Sequence, residues 1–257
     1  MLPITEFAYQ NALTPVQACG GVFLKRDDLY LAAGAPGGKA RTCWALAQGA
    51  KGLVTASSRS SPQMNIVARI AASLGIPARL HCPLGALTPE MKEAQAFGAE
   101  IIQHKAGYNA VIKARAAADA QTTMFKLIPF GMECAEAVAQ TAGQGRNIPV
   151  EAKRIVVPVG SGMSLAGILH HLVKDDRRLP VIGVSVGADP RKRLDQWAPL
   201  FWNQLSEIVN SGTDYHVPAK ITHLHSTPLD PFYEAKCIPF LQPGDLLWIV
   251  GIRASAL

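Results

Sequence analysis

Phe23-Leu24-Lys25-Arg26-Asp27-Asp28-Leu29, followed after a loop rich in Gly, Ala and Pro by Gly37-Gly38-Lys39-Ala40-Arg41, is the stretch on which the reading of this chain turns. An apolar strand runs into charge, a flexible loop follows, and a lysine stands at the mouth of a helix. Two glycines allow a sharp turn and let a flat ligand lie against the main chain. A lysine at a helix start meets the positive end of the helix dipole, which disfavours its charged form. Partial burial lowers its pKa further. A neutral amine is the form that attacks an aldehyde, so Lys39 is a candidate to hold an aldehyde cofactor. From the loop alone, a surface lysine after a glycine turn accounts for the pattern equally well.

The 257 residues are enough for one large core or two smaller ones. Hydrophobic residues make up 49% and charged residues 17%, which excludes a disordered chain. No apolar run reaches bilayer length, Leu246 to Ile252 included. Met1 to Gln10 lacks a basic region followed by an apolar one, so no secretory signal is expected. The five cysteines, Cys19, Cys43, Cys82, Cys134 and Cys237, form no Cys-x-x-Cys pair and fit reduced thiols in a cytoplasm. The net charge of +6 and a sequence pI near 9.1 favour anionic ligands. The charge is dispersed; its densest spots are Arg177-Arg178 and Arg191-Lys192-Arg193. That favours a mildly basic enzyme over a nucleic-acid binder.

Outward from Lys39, strands and helices alternate. Ala40 to Gly49 reads as a helix, and Gly52 to Ala56 as a strand entering the hydroxyl-rich loop Ser57 to Pro62. Pro62 opens a helix with Val67, Ile70, Ala71 and Leu74 on one face. Ala78 to Cys82 is a strand, and Thr88-Pro89-Glu90 caps the next helix. Glu100 to Gln103, Asn109 to Ala118 and Met124 to Leu127 continue the alternation as strand, helix and strand. A second series starts at Arg154 with Ile155 to Val159, a helix marked by Leu165, Ile168, Leu169 and Leu172, and the strand Val181 to Val186. Asp189-Pro190 opens a helical region through Trp202, and Asp245 to Val250 is a last buried strand. The expected fold class is α/β, two three-layer α/β/α lobes with mostly parallel sheets and a ligand cleft between them. The expected lobes are residues 1–44 with 141–257, the larger, and 45–140, the smaller.

Gly160-Ser161-Gly162-Met163-Ser164 lies between an expected strand and a helix. Free amides at a helix start, with the dipole behind them, make a phosphate cradle. Gly160, Ser161, Gly162, Met163 and Ser164 are therefore candidates for a single phosphate; neither a dinucleotide fingerprint nor a P-loop is complete here. A tight turn without a ligand is the other reading of this motif. In Asp230-Pro231-Phe232-Tyr233-Glu234, a turn launches a helix with a phenol and a carboxylate in its first residues, which is also ordinary cap chemistry. His223 and His225 would share a strand face, but two ligands complete no zinc site. His170 and His171 point apart on a helix. Arg253, at the end of a buried strand, is a candidate anion ligand against the alternative of a surface arginine.

Lys25-Arg26-Asp27-Asp28-Leu29 with Gly37-Gly38-Lys39-Ala40-Arg41 resembles the signature of pyridoxal-phosphate enzymes of the tryptophan-synthase-β fold (fold type II). Within them it resembles the 1-aminocyclopropane-1-carboxylate deaminase and D-cysteine desulfhydrase group. Gly160 to Gly167 looks like that family's phosphate loop, and Asp230 to Lys236 is similar to its Asp-Pro-x-Tyr helix start. The resemblance implies that Lys39 holds pyridoxal 5'-phosphate covalently. It implies that Gly160 to Ser164 bind the phosphate and Glu234 faces the ring nitrogen. Tyr233 would lie on the substrate side, and Ser61 at the substrate carboxylate. Lys39, Tyr233 and Ser61 would be catalytic. Departures surround the substrate. Gly38 stands where the family has Asn, and Pro62 stands where it has the Asn contacting the ring hydroxyl. Gln63 or Asn65 would substitute for the latter, and Arg253 falls in a tail that replaces His-Thr-Gly-Gly.

The implied function is a lyase, deaminase or isomerase forming an α-carbanion on a small amino acid, in a cytoplasmic homodimer with no membrane partner. The changed pocket and basic balance also suit an amino acid attached to a nucleotide or DNA, as in base hypermodification. A protein that binds the cofactor without turnover is the third reading.

Overall fold

The computed structural model describes residues 12–105 and 108–253; the leader reading over Met1 to Gln10 lies outside them. In chain order the elements are β1 (Val16–Cys19), β2 (Val22–Arg26), β3 (Leu31–Ala32), β4 (Ala35–Pro36), α1 (Gly38–Ala47), β5 (Leu53–Ala56), α2 (Gln63–Ser73), β6 (Ala78–Pro83), α3 (Pro89–Ala96), β7 (Glu100–His104), α4 (Asn109–Thr123) and β8 (Lys126–Ile128). They continue with α5 (Ala135–Gln144), β9 (Arg154–Val159), α6 (Met163–Lys174), β10 (Val181–Ser185), α7 (Arg191–Trp197), α8 (Trp202–Leu205), β11 (Ser206–Asn210), β12 (His223–Leu224), β13 (Thr227–Pro228) and β14 (Asp245–Ile249).

Two sheets carry the architecture. One has the order β7-β6-β5-β8, and its pairs are all parallel. The other has the order β1-β2-β14-β9-β10-β11, parallel except for the β1–β2 hairpin at its edge. Parallel strands need both faces covered, and side chains alternate between the faces along each strand. Val54 and Ala56 of β5 meet Ile112, Ala116 and Ala120 of α4. Their neighbour Leu53 turns to the opposite face, in one core with Met64, Val67 and Ile70 of α2. In the larger sheet Ile155, Val157, Leu246 and Trp248 join that same core, with Leu165, Ile168 and Leu169 of α6. Val156, Leu247 and Ile249 face the other way, onto Leu229, Ala235 and Cys237. Ala40, Cys43, Trp44 and Ala47 of α1 lie in the shared core, so the helix behind Lys39 is clamped between the sheets.

Several local readings are corrected. Asp230-Pro231 is followed by turns and a 3-10 helix, Glu234–Phe240, because Pro239 inside it removes a donor that an α-helix needs. The helical region after Pro190 is two short helices, α7 and α8, interrupted where Leu200 adopts φ +71°. β12 holds only two residues, and His225 lies in the following turn at φ +52°, so His223 and His225 share no strand face. Edge strands β1 and β11 and helix α5 were not foreseen.

The charged end of β2 is buried. Asp27 Oδ1 accepts from Thr14 Oγ1 at 2.6 Å and Arg41 Nη2 at 3.1 Å, while Oδ2 accepts from Trp248 Nε1 at 3.1 Å. Lys25 Nζ donates to Thr14 O, Gln144 Oε1 and Asn147 Oδ1 at 2.7 to 3.2 Å. Removing one partner of a buried ion pair strands the other charge, at a cost of roughly 3–5 kcal/mol. Asp27→Ala is expected to destabilise the fold by about that amount in denaturant unfolding, whereas Asp189→Ala, at an exposed pair with Arg191, should leave the transition almost unmoved.

Candidate active site

Lys39 enters the first turn of α1 because the two preceding glycines dock on the end of β14. Gly37 holds φ +92°, and a Cβ there would stand 2.8 Å from Val250 O. Gly38 N–H donates to that same carbonyl at 3.0 Å. The lysine then opens into a cleft. Its walls come from both sheets: Lys39, Ser61 and Pro62 with Gly131 and Met132, then Gly160 to Leu165, and Tyr215, Asp230, Tyr233, Glu234 and Arg253.

Across the cleft, Gly160 to Ser164 join β9 to α6. Gly162 caps α6 in a left-handed conformation, φ +91°. The first-turn amides of a helix have no intrahelical acceptor, so they face the cleft as donors. The turn must be bare. A Cβ at Gly160 would lie 2.3 Å from Tyr233 Oη, and one at Gly131 would lie 3.0 Å from Ser161 Cβ. Arg193 braces the turn from outside by donating to Gly160 O at 2.8 Å.

Burial sets the electrostatics. Lys39 is densely surrounded by protein, which lowers its pKa to about 8; the Arg253 charge lowers it too, while Glu234 and Glu133 oppose the shift. Glu234 is buried, and burial, then the nearby Asp230 carboxylate, push its carboxyl well above the usual range. Its Oε1 accepts from Val250 N–H at 3.1 Å, while buried Oε2 has no hydrogen-bond partner. A buried polar atom without a partner is costly, and it marks a place where a ligand donor fits. Burial likewise raises the Tyr233 phenol, followed by Tyr215 and Glu234, so it stays protonated.

Ten of the residues singled out from sequence, Lys39, Ser61, Gly160, Ser161, Gly162, Met163, Ser164, Tyr233, Glu234 and Arg253, line this one cleft. Gln63 and Asn65 do not, which corrects the expectation that one of them substitutes in the cleft for the Asn that Pro62 replaces. Gln63 donates to Thr55 Oγ1 and Pro129 O, both at 2.8 Å, and accepts from Gly131 N–H at 2.9 Å. Asn65 donates to Glu93 Oε2 and accepts from Arg69 Nε. Arg253 is buried rather than a surface arginine. Tyr215, Gly131 and Asp230 were missed as wall residues; only Asp230 carried a signal, as the start of a motif already noted. Among the described residues no group of three or more His, Cys, Asp or Glu could hold a metal ion, and no described helix is long and apolar enough to cross a membrane.

A two-sheet α/β chain with a partly buried lysine facing a glycine-rich helix start defines a class of cofactor-dependent fold, and the comparisons identify it. Residues 5–198 match the family described as pyridoxal-phosphate dependent enzyme, so this chain belongs to that family. It is 29% identical over 199 residues to the biosynthetic L-threonine dehydratase of Corynebacterium glutamicum, covering 68% of this chain and 44% of that protein. The chain thus spans less than half the length of that curated relative. In fold it is similar to a 1-aminocyclopropane-1-carboxylate (ACC) deaminase homologue, with TM-score 0.80, 21% identity, and 98% and 95% of the two chains covered. It is also similar to the processed form of threonine deaminase isoform 2 from Solanum lycopersicum (TM-score 0.69, 14% identity, 98% of this chain and 89% of that one). Escherichia coli diaminopropionate ammonia lyase matches at TM-score 0.70, 13% identity, over 98% of this chain and 89% of that one.

With a pKa near 8, Lys39 is partly neutral at physiological pH. Acylation of the cofactor-free protein, followed by peptide mapping across pH 6 to 10, should show Lys39 labelling rise with a midpoint near 8. The sign follows from burial disfavouring the ammonium form: the amine is released below the ordinary lysine value of 10.5. A midpoint at 10 or above would remove the burial argument.

Proposed function

We propose that this protein is a pyridoxal-phosphate-dependent lyase or deaminase that removes a proton from the α-carbon of a small, free amino acid. The observation that carries the reading is one cleft holding a lysine of lowered pKa, a bare glycine turn at a helix start, and a buried carboxylate oxygen with no protein partner. These three features fit the cofactor's aldehyde, phosphate and ring nitrogen. Pyridoxal phosphate, when bound, supplies an aldehyde for a substrate amine and a ring that disperses negative charge from the α-carbon.

The chain's own residues would divide the work. Gly160 to Ser164 present amides and two hydroxyls to a phosphate, strengthened by the α6 dipole. Glu234 Oε2 would accept a hydrogen bond from the protonated ring nitrogen, and such a cationic partner in a buried site would bring its carboxyl back towards the ionised form. Lys39 would hold the cofactor's aldehyde, and its Nζ, as a free neutral amine, would take the α-proton, a task suited to an amine titrating near 8. Tyr233, protonated and walled in beside Gly160, serves as a proton donor on the substrate side. Ser61 Oγ accepts from Gln63 N–H at 3.3 Å, which leaves its O–H to donate to a substrate carboxylate.

Among the described residues, Lys39 and Arg253 are the two cationic side chains in the cleft lining, and Arg253 is already paired with Asp230 at 2.6 Å. That supports a substrate with one carboxylate. An amino acid carried on a nucleotide or DNA is the second reading; it rests on the net charge of +6. The proposal includes the two-lobe division at 1–44 with 141–257 and 45–140, which the two separate sheets support, although α5 spans position 140. It also includes a cytoplasmic setting, supported by five free cysteines. A homodimer completes it, resting on the family resemblance.

Borohydride treatment of the protein incubated with pyridoxal phosphate, followed by peptide mapping, is expected to place the adduct on Lys39; an adduct on Lys25 or Lys51 would overturn the assignment. Glu234→Gln should retain the cofactor and slow α-proton exchange on an amino acid about a hundredfold, or roughly 3 kcal/mol of transition-state stabilisation. A Glu234 acting only as a helix-start acid would leave exchange unchanged.

A further inference from the structure

Arg253 follows β14 at the end of the cleft where Ser61 lies, and it is only 4% exposed. Its guanidinium is engaged by protein on three sides. Nε donates to Asp230 Oδ2 at 2.6 Å, and Nη1 donates to the Ser60 carbonyl at 3.1 Å. The plane lies over the Phe232 ring at 4.8 Å, and the Tyr215 phenol stands beside it. Asp230 and Phe232 belong to the segment covering the larger sheet, whereas Ser60 belongs to the loop leaving β5 of the smaller one. Arg253 therefore reaches across the cleft.

An anion receptor needs its charge and donors aimed at the ligand. Here Asp230 balances the charge, and two donor directions are committed to Asp230 and Ser60. The residue that Nη1 holds is the one immediately before Ser61. On the side away from Arg253 the loop is fastened by Ser57 N–H to His81 O at 3.0 Å and by Thr88 Oγ1 to Arg59 O at 2.6 Å. At its own end it is closed by Ser61 N–H to Ser58 O at 3.2 Å.

We propose that Arg253 is a positioning residue: through the Ser60 carbonyl it pins the Ser58–Ser61 loop across the cleft and so sets where the Ser61 hydroxyl meets the substrate carboxylate. The carboxylate in that statement rests on the proposed function; the pinning of the loop does not. The task needs an arginine, because its planar fork serves two acceptors in fixed directions while a lysine offers a single point of charge. The same guanidinium charge helps hold the Lys39 amine neutral.

The test is backbone amide exchange on the purified full-length chain, with the steady-state kinetics of the loaded enzyme as second readout. In Arg253→Gln, amides of residues 57–63 should exchange about tenfold faster or more, the scale of losing a charged hydrogen bond. Amides of Leu53–Ala56 and Ala135–Gln144 should be unchanged. Arg253→Lys should fall between. Should Arg253→Gln fail to fold with Asp230 left unpaired, Arg253→Gln with Asp230→Asn removes both charges and should show the same loosened loop. In turnover KM should rise about tenfold while kcat changes much less, since binding is lost equally from ground and transition states. Unaltered exchange at 57–63 in a folded variant overturns the proposal, and a raised KM with unaltered exchange does so in favour of direct substrate contact. Failure of the unsubstituted protein to take up pyridoxal phosphate would overturn the functional reading and leave the exchange result standing.

Discussion

The Asp27 carboxylate is the joint on which the site depends. It lies where β2 ends, and its two oxygens hold Thr14, the α1 residue Arg41 and the β14 residue Trp248. One buried anion thereby ties together the strand before the lysine loop, the helix after it and the strand on which the loop docks. Lys25, two residues earlier, ties the same region to Gln144 at the end of α5 and to Asn147 just beyond it. Ionic groups so deep persist only when their partners are complete, which makes the arrangement rigid and intolerant of single losses. The close approach of Gly37 to Val250 O then fixes the entry of α1, and with it Lys39.

Around that frame the cleft keeps charge in poor solvent. Burial drives Lys39 down and Glu234 up, each towards its neutral form. Both shifts have desolvation as their largest cause, with neighbouring charges second. Such a site is poised: a bound cation or anion changes the protonation of its neighbours more than it would in water, because low dielectric strengthens each interaction. Arg253 and Asp230 cancel each other within the same wall, which leaves Lys39 and Glu234 as the groups whose charge a ligand can change.

Much of the alternation was legible because parallel strands covered on both faces are short apolar runs. Ile155 to Val159 and Leu246 to Ile249 could hardly be anything else. The edge strands were not legible. Ser206–Asn210 is only half covered and reads as mixed loop, and Val16–Cys19 is a solvent-facing hairpin arm. Gln63 and Asn65 were misjudged for a different reason. An amide one turn from a candidate site is equally able to bond backbone or ligand, and the Pro129 carbonyl and the Glu93 carboxylate were nearer. Nothing local to Gln63 announces Pro129, 66 positions away.

The sequence by itself determined the motifs whose chemistry is local: two glycines before a lysine at a helix start, a glycine turn between a strand and a helix, and a tyrosine-glutamate pair after Asp-Pro. Backbone freedom, helix dipoles and side-chain type are properties of neighbours in the chain, so these signals survive without a fold. Only the tertiary structure decided that the three motifs face one cleft, that Glu234 Oε2 is left without a protein partner there, and that Arg253 bonds Ser60 at a separation of 193 residues. Those outcomes depend on burial and on distances between segments remote in sequence, and desolvation, which sets the state of every ionisable group in the site, exists only once the chain has closed around it.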